Sequence, residues 1–456
     1  MFRDLRGFLA ALDGSGELIH LDMELSPRFE IAAAIKHLAQ HKGKAILCEK
    51  VAGYDIPVIG NLNTRKNIAR AVGVAEGEIE ETCRERAQNL IKPEMAASGP
   101  VQEIVEEGDI NILRSLPVLT HHERDAGPYL TSALVVAKDP ETGVRGMGLH
   151  RIFVKDKETI GIFLGNPPLS HFLTKAENRD KPLEIAVVSG ADLLTFLASI
   201  VHTPEEGIDK FDIAGGLARK PIELVRCRTV DLEAPAHAEF VLEGYIIPNR
   251  REKEGPFGES SGYYLTYDNP VAKIKAVTSR ANPIYHALVP FSGEEGVLTS
   301  LMWQAFLVPE IQKALPQVRR MEIEVLGEFL IVQVEKKKEE DGKGVIDYLL
   351  KYPFVKIVVV VDEDVEISSW EEVKWAFVTR AYFDKDIVIR HGMPGFQIDP
   401  ATRGGKRDPR DSRLITETSK MGIDATKPLK QAKKFEMIDV PSETNKRVLK
   451  LIEKIG

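Results

Sequence analysis

Glu254-Gly-Pro-Phe-Gly-Glu259 sets two carboxylates around a short segment that neither regular helix nor regular strand accommodates well. Pro256 fixes its own φ, Gly255 and Gly258 tolerate unusual backbone angles, and Phe257 offers a ring that can bury and hold the segment down. Two acids presented together repel when both are ionised, so one of them can be driven toward the protonation range of a proton donor. The ordinary reading of two glutamates near a Gly-Pro pair is a solvated surface turn. The flanks argue otherwise: Phe240-Val-Leu-Glu-Gly-Tyr-Ile-Ile247 leads in, and Ser260-Ser-Gly-Tyr-Tyr264 leads out toward another apolar run. This predicts a turn wedged between two strands.

Outward from that segment, residues 116–315 read as β-rich. The runs Leu130-Thr-Ser-Ala-Leu-Val-Val136, Ile152-Phe-Val154, Thr159 to Leu164, Ile185 to Val188, Ile222 to Val225 and Val271 to Val277 are strand-like, with Asp139-Pro-Glu-Thr-Gly143 as a hairpin turn. One helix is expected from Pro168 to Asn178. Residues 1–115 alternate helix and strand: Leu5, Phe8, Leu9 and Leu12 fall on one helical face, Phe29 to Gln40 forms a second helix, and Asn67 to Asn89 reads as a third. Residues 316–435 return to alternation. There Val355-Lys-Ile-Val-Val-Val-Val361 has the look of a strand covered on both faces, and Glu371 to Arg380 of a helix. The polar, basic stretch 400–434 reads as a long surface excursion. Within 436–456, Ser442 is expected to cap an amphipathic helix carrying Val448, Leu451 and Ile452 on one face, suited to docking on a partner subunit.

The chain has 456 residues, 43% of them hydrophobic, enough for more than one core. A net charge of -8 argues against a general nucleic-acid binder. Cys48, Cys83 and Cys227 have no metal or disulfide spacing, and no apolar run is as long as a membrane span, so a cytoplasmic protein is expected.

Few other residues carry chemistry. Arg151, ending Arg145-Gly-Met-Gly-Leu-His-Arg151, stands at a strand mouth, where it can offer a fork to a carboxylate. His121-His-Glu-Arg-Asp125 superficially suggests a metal cluster but lacks metalloprotease spacing. Lys356 opens an apolar strand, where a lysine ordinarily snorkels but can meet a phosphate. Gly146-Met-Gly148 lacks the strand-helix context of a dinucleotide fingerprint.

Taken together, these blocks resemble the UbiD-type decarboxylases. The likeness runs through Asp4-Leu-Arg-Gly-Phe8, Ile56-Pro-Val-Ile-Gly-Asn61, His121-His-Glu-Arg-Asp-Ala-Gly-Pro-Tyr129 and Ala214-Gly-Gly-Leu-Ala-Arg-Lys-Pro-Ile222. It continues through Glu254 to Glu259, Lys356 to Asp364 and Trp375-Ala-Phe-Val-Thr-Arg380. The resemblance implies an N-terminal α/β domain (1–115), a central split β-barrel binding prenylated FMN (116–315), a C-terminal α/β domain (316–435) and a terminal oligomerisation helix (436–456). It implies catalysis by Arg151, Glu254 and Glu259, with Glu259 as proton donor. A cofactor-binding set of Gly146, Met147, Gly148, Leu149, His150, Arg151, Ser199, Lys210 and Lys356 goes with it.

The implied reaction is reversible, non-oxidative decarboxylation of an aromatic, heteroaromatic or α,β-unsaturated acid, releasing carbon dioxide. His150, Leu164, His286 and Phe291 are expected to line the pocket. A flavin prenyltransferase would supply the cofactor, and a homodimer or homohexamer is the expected assembly. In the family a divalent metal, often manganese, held by Asn, His and Glu, bridges to the flavin phosphate. Here the Asn falls on Gly146, the Glu falls on Lys210 with Asp209 and Asp212 beside it, and the His is ambiguous within 166–171, so the cage looks altered. A non-catalytic subunit of a multi-subunit carboxylase is the alternative, and a hydrolase built on His121 and His122 a distant third.

Overall fold

The computed structural model describes residues 2–201, 207–407, 414–438 and 440–452. The first helix, Leu5–Asp13, is capped by Asp4, whose carboxylate accepts from the Gly7 amide, and buries Leu5, Phe8, Leu9 and Leu12. Leu18–Leu25 (β1) and Ala45–Val51 (β2) pair in parallel around the helix Glu30–Lys42, and β2 pairs with Val58–Gly60 (β3). The expected single helix 67–89 is two, Arg65–Val72 and Ile79–Gln88. Gly73 separates them at φ 79°, a left-handed angle that closes the first helix.

A nine-stranded sheet dominates the middle of the chain. Its main strands are Tyr129–Leu130 (β4), Leu134–Lys138 (β5), Arg145–Leu149 (β6), Ile152–Val154 (β7) and Thr159–Ile162 (β8). Leu183–Ser189 (β9), Phe240–Gly258 (β10) and Tyr264–Ser279 (β11) complete them, in the order β4-β7-β8-β11-β10-β9-β5-β6. Asp139-Pro-Glu-Thr-Gly143 is the β5–β6 hairpin turn, with Lys138 opposite Arg145. Tyr285–His286 (β12) then crosses to pair with β3, so the central and N-terminal parts share a sheet edge.

Two helices inside this β-rich region escape the periodicity. Leu193–Ile200 (α1) is buried almost all round, so it shows no polar face to give it away. Lys210–Ala218 (α2) carries Gly215 and Gly216 mid-helix, which local propensity disfavours. A β-carbon on Gly215 would lie 2.2 Å from the Ile91 carbonyl oxygen, and one on Gly216 2.4 Å from that of Arg86. Close backbone packing, not helix propensity, selects those glycines.

The C-terminal sheet has six strands, Val318–Glu324 (β13), Phe329–Val334 (β14), Ile357–Asp362 (β15), Ile387–Pro394 (β16), Arg403–Arg407 (β17) and Leu414–Ala425 (β18). β15 lies between β14 and β18, parallel to both, and Val358 to Val361 are buried as the sequence predicts. The expected surface excursion across 400–434 is corrected: β18 is an interior strand of this sheet. Its buried members include Lys420 and Asp424, so polar composition hid it. The Lys420 ammonium donates to the carbonyls of Leu350 and Tyr352 at 3.0 and 2.6 Å. Ser442–Ile452 forms a helix (α3) with Val448, Leu449, Leu451 and Ile452 exposed. Its first turn closes onto the Pro441 carbonyl, so Ser442 is the first helical residue and not the cap. Among the described residues no helix is long and apolar enough to cross a membrane.

Candidate active site

The acidic segment, expected as a turn wedged between two strands, instead continues the first of them: β10 runs through it to Gly258. Glu254 still pairs with Tyr267 of β11, the register slips between Glu254 and Phe257, and Gly258 pairs with Tyr264. Gly255, at φ 115°, takes the irregularity, and a β-carbon there would lie 2.5 Å from the Leu265 carbonyl oxygen. The reversal itself comes just after, where Glu259 and Tyr263 are joined by a 2.9 Å backbone hydrogen bond. Glu254 and Glu259 are thus both carried inward, only 1% and 5% exposed.

Arg151 reaches them from the short link between β6 and β7. Its Nε and Nη2 donate to the two oxygens of Glu254 at 3.3 and 3.0 Å, and its Nη1 faces Glu259 Oε1. The guanidinium lies among the rings of Phe163, Phe257 and Tyr267, at 4.2, 4.8 and 5.7 Å from their centroids. Asn269, next but one to Tyr267 on β11, donates its side-chain amide to Glu254. Tyr129 packs tilted against Phe257 with ring centroids 4.3 Å apart, and burial with the nearby Glu254 carboxylate pushes its hydroxyl's pKa far up. One buried cation therefore serves two buried carboxylates, enclosed by aromatic rings.

The His121–Asp125 segment clasps this motif. Asp125 accepts from the amides of His121, His122 and Gly258 at 3.2, 2.8 and 2.8 Å, and the Ala126 amide donates to the Pro256 carbonyl at 2.8 Å. His121 is buried and its pKa is pushed down to about 3, so it stays neutral. Among the described residues no group of His, Cys, Asp and Glu is arranged to hold a metal ion.

The remaining residues singled out from the sequence divide clearly. His150 is buried, bonds the Phe163 carbonyl through Nδ1 at 3.0 Å, and has its pKa lowered to about 4 by burial. Met147 belongs to the core, so only its backbone is free to meet a ligand. At Gly146 a β-carbon would lie 2.6 Å from Phe172 Cε2 and 2.8 Å from Pro168 Cγ, leaving no room for a side chain. At Gly148 it would lie 2.7 Å from His150 Nε2. Leu149 is half-buried against the same core as Met147. Two assignments are corrected. The Ser199 hydroxyl is buried and spends its proton on the Phe196 carbonyl at 2.6 Å. Lys356 is paired with Asp399, so its charge is already neutralised within the C-terminal sheet region. Leu164 and His286 are buried, whereas Phe291 is 56% exposed.

Sequence reading missed Tyr267, Asn269, Tyr129 and Asp125. For Tyr267 and Asn269 the only signal is the alternation of β11, which puts them on one face once the pairing with β10 is known, whereas Asp125 and Tyr129 stand in the His121–Tyr129 block quoted above without a role.

Residues 9–86, 93–293 and 296–425 match the N-terminal, Rift-related and C-terminal domains of 3-octaprenyl-4-hydroxybenzoate carboxy-lyase. The anhydromevalonate phosphate decarboxylase of Methanothermobacter thermautotrophicus is 34% identical, over 95% of this chain and 99% of that one. The structure of the UbiD-class enzyme HmfF from Pelotomaculum thermopropionicum, in complex with FMN, superposes with a TM-score of 0.85 at 37% identity, covering 96% of this chain and 97% of that one. Vanillic acid decarboxylase of Sedimentibacter hydroxybenzoicus in its closed form gives 0.85 at 31% identity, covering 100% and 99%. With all three family domains matched in order, the chain belongs to the UbiD family and is a carboxy-lyase.

Proposed function

We propose that this carboxy-lyase reversibly decarboxylates an α,β-unsaturated, aromatic or heteroaromatic acid with prenylated FMN, through Arg151, Glu254 and Glu259. The observation that carries the reading is the buried Arg151–Glu254–Glu259 cluster, in a chain whose relative HmfF has been solved with FMN and with prenylated FMN. When bound, the cofactor supplies the electron sink that lets the carboxyl group leave. The protein's part is positioning and proton handling.

Charge counting separates the two glutamates. With both ionised, the trio carries one net negative charge, which would repel an incoming carboxylate. If one glutamate holds a proton the trio is neutral and Arg151 can orient the substrate. Glu254 accepts two guanidinium hydrogen bonds and one from the Asn269 amide, whereas among the described residues Glu259 pairs with Nη1 of Arg151 alone. Glu259 is therefore the acid that delivers a proton to the carbon left after carbon dioxide departs, and Glu254 fixes the guanidinium. Phe163, Phe257 and Tyr129 keep water from the reacting carbon.

The residues do not fit the divalent metal usual for the family, and no step is assigned to one. The three matched family segments support a division into an N-terminal α/β unit, a central split β-barrel and a C-terminal α/β unit, and a flavin prenyltransferase would supply the cofactor in this reading. The exposed apolar residues of α3 support a homo-oligomeric assembly, a dimer or hexamer.

The test is anaerobic co-expression with a flavin prenyltransferase, followed by the visible spectrum and mass of whatever copurifies. A prenylated flavin mass is expected. Protein repeatedly recovered with no flavin mass, and unable to take up prenylated FMN afterwards, would sink the proposal.

A further inference from the structure

Lys210 opens α2 and is only 4% exposed. Among the described residues its ammonium donates to one group, the Val201 carbonyl at the end of α1. Among the described residues no carboxylate pairs with it, and burial alone depresses its pKa, to about 8. An ammonium has three donors, so a buried one with a single carbonyl partner is costly. The contrast with neighbouring cations is direct. Lys420 is equally buried but is wrapped by backbone carbonyls. Arg145 is matched by two carboxylates, Asp209 at 2.6 Å and Glu233 at 3.1 Å. Asp209, the residue before Lys210, is thus committed to Arg145, and among the described residues no carboxylate neutralises the ammonium.

The location of this cation matters. Arg145 begins β6, the strand that runs through Gly146 to Gly148 and delivers Arg151 to the site, and its pairing with Asp209 ties the start of α2 to that strand. Where the family resemblance puts a metal-binding Asn, Gly146 faces Phe172 and Pro168 so closely that no side chain can emerge. Where it puts a metal-binding Glu, the chain carries the opposite charge. A divalent ion would meet a buried ammonium in place of a carboxylate, which repels it, whereas a phosphate monoester supplies the missing counter-charge.

We propose that Lys210 is a phosphate-binding residue that neutralises the phosphate of bound FMN directly, without a divalent metal. This rests on the flavin reading above, and the experiment separates the two. Apo-protein is titrated with FMN and with riboflavin, which lacks the phosphate, in EDTA and in manganese chloride, and flavin fluorescence quenching is followed. Wild-type protein is expected to prefer FMN over riboflavin on the order of 10–100-fold, equally in both media. Lys210→Met, which fills the same buried space without charge, is expected to erase that preference and leave riboflavin affinity unchanged. Riboflavin binding reports whether each variant is folded, and Lys210→Gln decides by the same comparison if the Met variant is not. A preference for FMN that appears only with manganese, or that survives both substitutions, overturns the proposal. Wild-type protein that binds neither flavin overturns the flavin reading itself.

Discussion

Arg151 meets Glu254 edge-on through two hydrogen bonds, Nε to Oε1 at 3.3 Å and Nη2 to Oε2 at 3.0 Å, with both side chains nearly buried. That fork fixes the guanidinium plane and leaves Nη1 directed at Glu259. Positioning of this kind depends on planarity, not on charge alone. Arg151→Lys, which keeps the charge but loses the fork, is expected to lower kcat about 100-fold or more while the protein still binds flavin. Turnover within a few-fold of wild type would show that the fork is dispensable.

Glu259→Gln keeps the shape of the side chain and removes the transferable proton. Decarboxylation and deuterium exchange at the product's reacting carbon should fall together, by about 10²–10⁴-fold. Glu254→Gln should also retain exchange activity better than Glu259→Gln, because its neutral amide still accepts from Asn269. Exchange that survives in Glu259→Gln would move the donor role to another group.

Glu294 provides a pH test of stability. It is buried, accepts from the backbone and side-chain amides of Asn63 at 3.3 and 2.8 Å, and burial pushes its pKa up to about 7. Glu295 beside it is raised in the same direction. Between about pH 4.5 and pH 7 the folded protein keeps the Glu294 proton that the unfolded chain has lost, so stability falls as pH rises through that window. The loss amounts to roughly 3 kcal/mol for this group. Thermal melts of Glu294→Gln should show a shallower decline from pH 5 to pH 7 than wild type. Parallel Tm profiles would mean that the carboxyl titrates normally.

Tyr267 links the site to the C-terminal region. Its hydroxyl donates to the Gln397 carbonyl, and two residues on Asp399 is held by Lys356. Tyr267→Phe removes one neutral hydrogen bond, worth about 1 kcal/mol. Amide exchange across 395–402 should therefore quicken while the global Tm changes little. Unchanged exchange there would show that the segment is held by its own turns.

The sequence by itself determined where the two acids stand and how the strands are ordered around them. Pro256 between glycines marks a break flanked by strands, Phe257 can bury there, and the Val358 to Val361 run belongs between two other strands. These are local properties, written in φ preferences and in hydrophobic runs. The same local code misplaced β18, because Lys420 and Asp424 are buried there by partners brought from distant parts of the chain. It also gave no sign of Asn269 as the third support of Glu254, since that contact exists only once β10 and β11 are in register. Tertiary structure likewise decided the charge balance. Among the described residues Arg145 receives two carboxylates and Lys210 none, an allocation set by how α2 packs on β6 and not by the residues beside either cation.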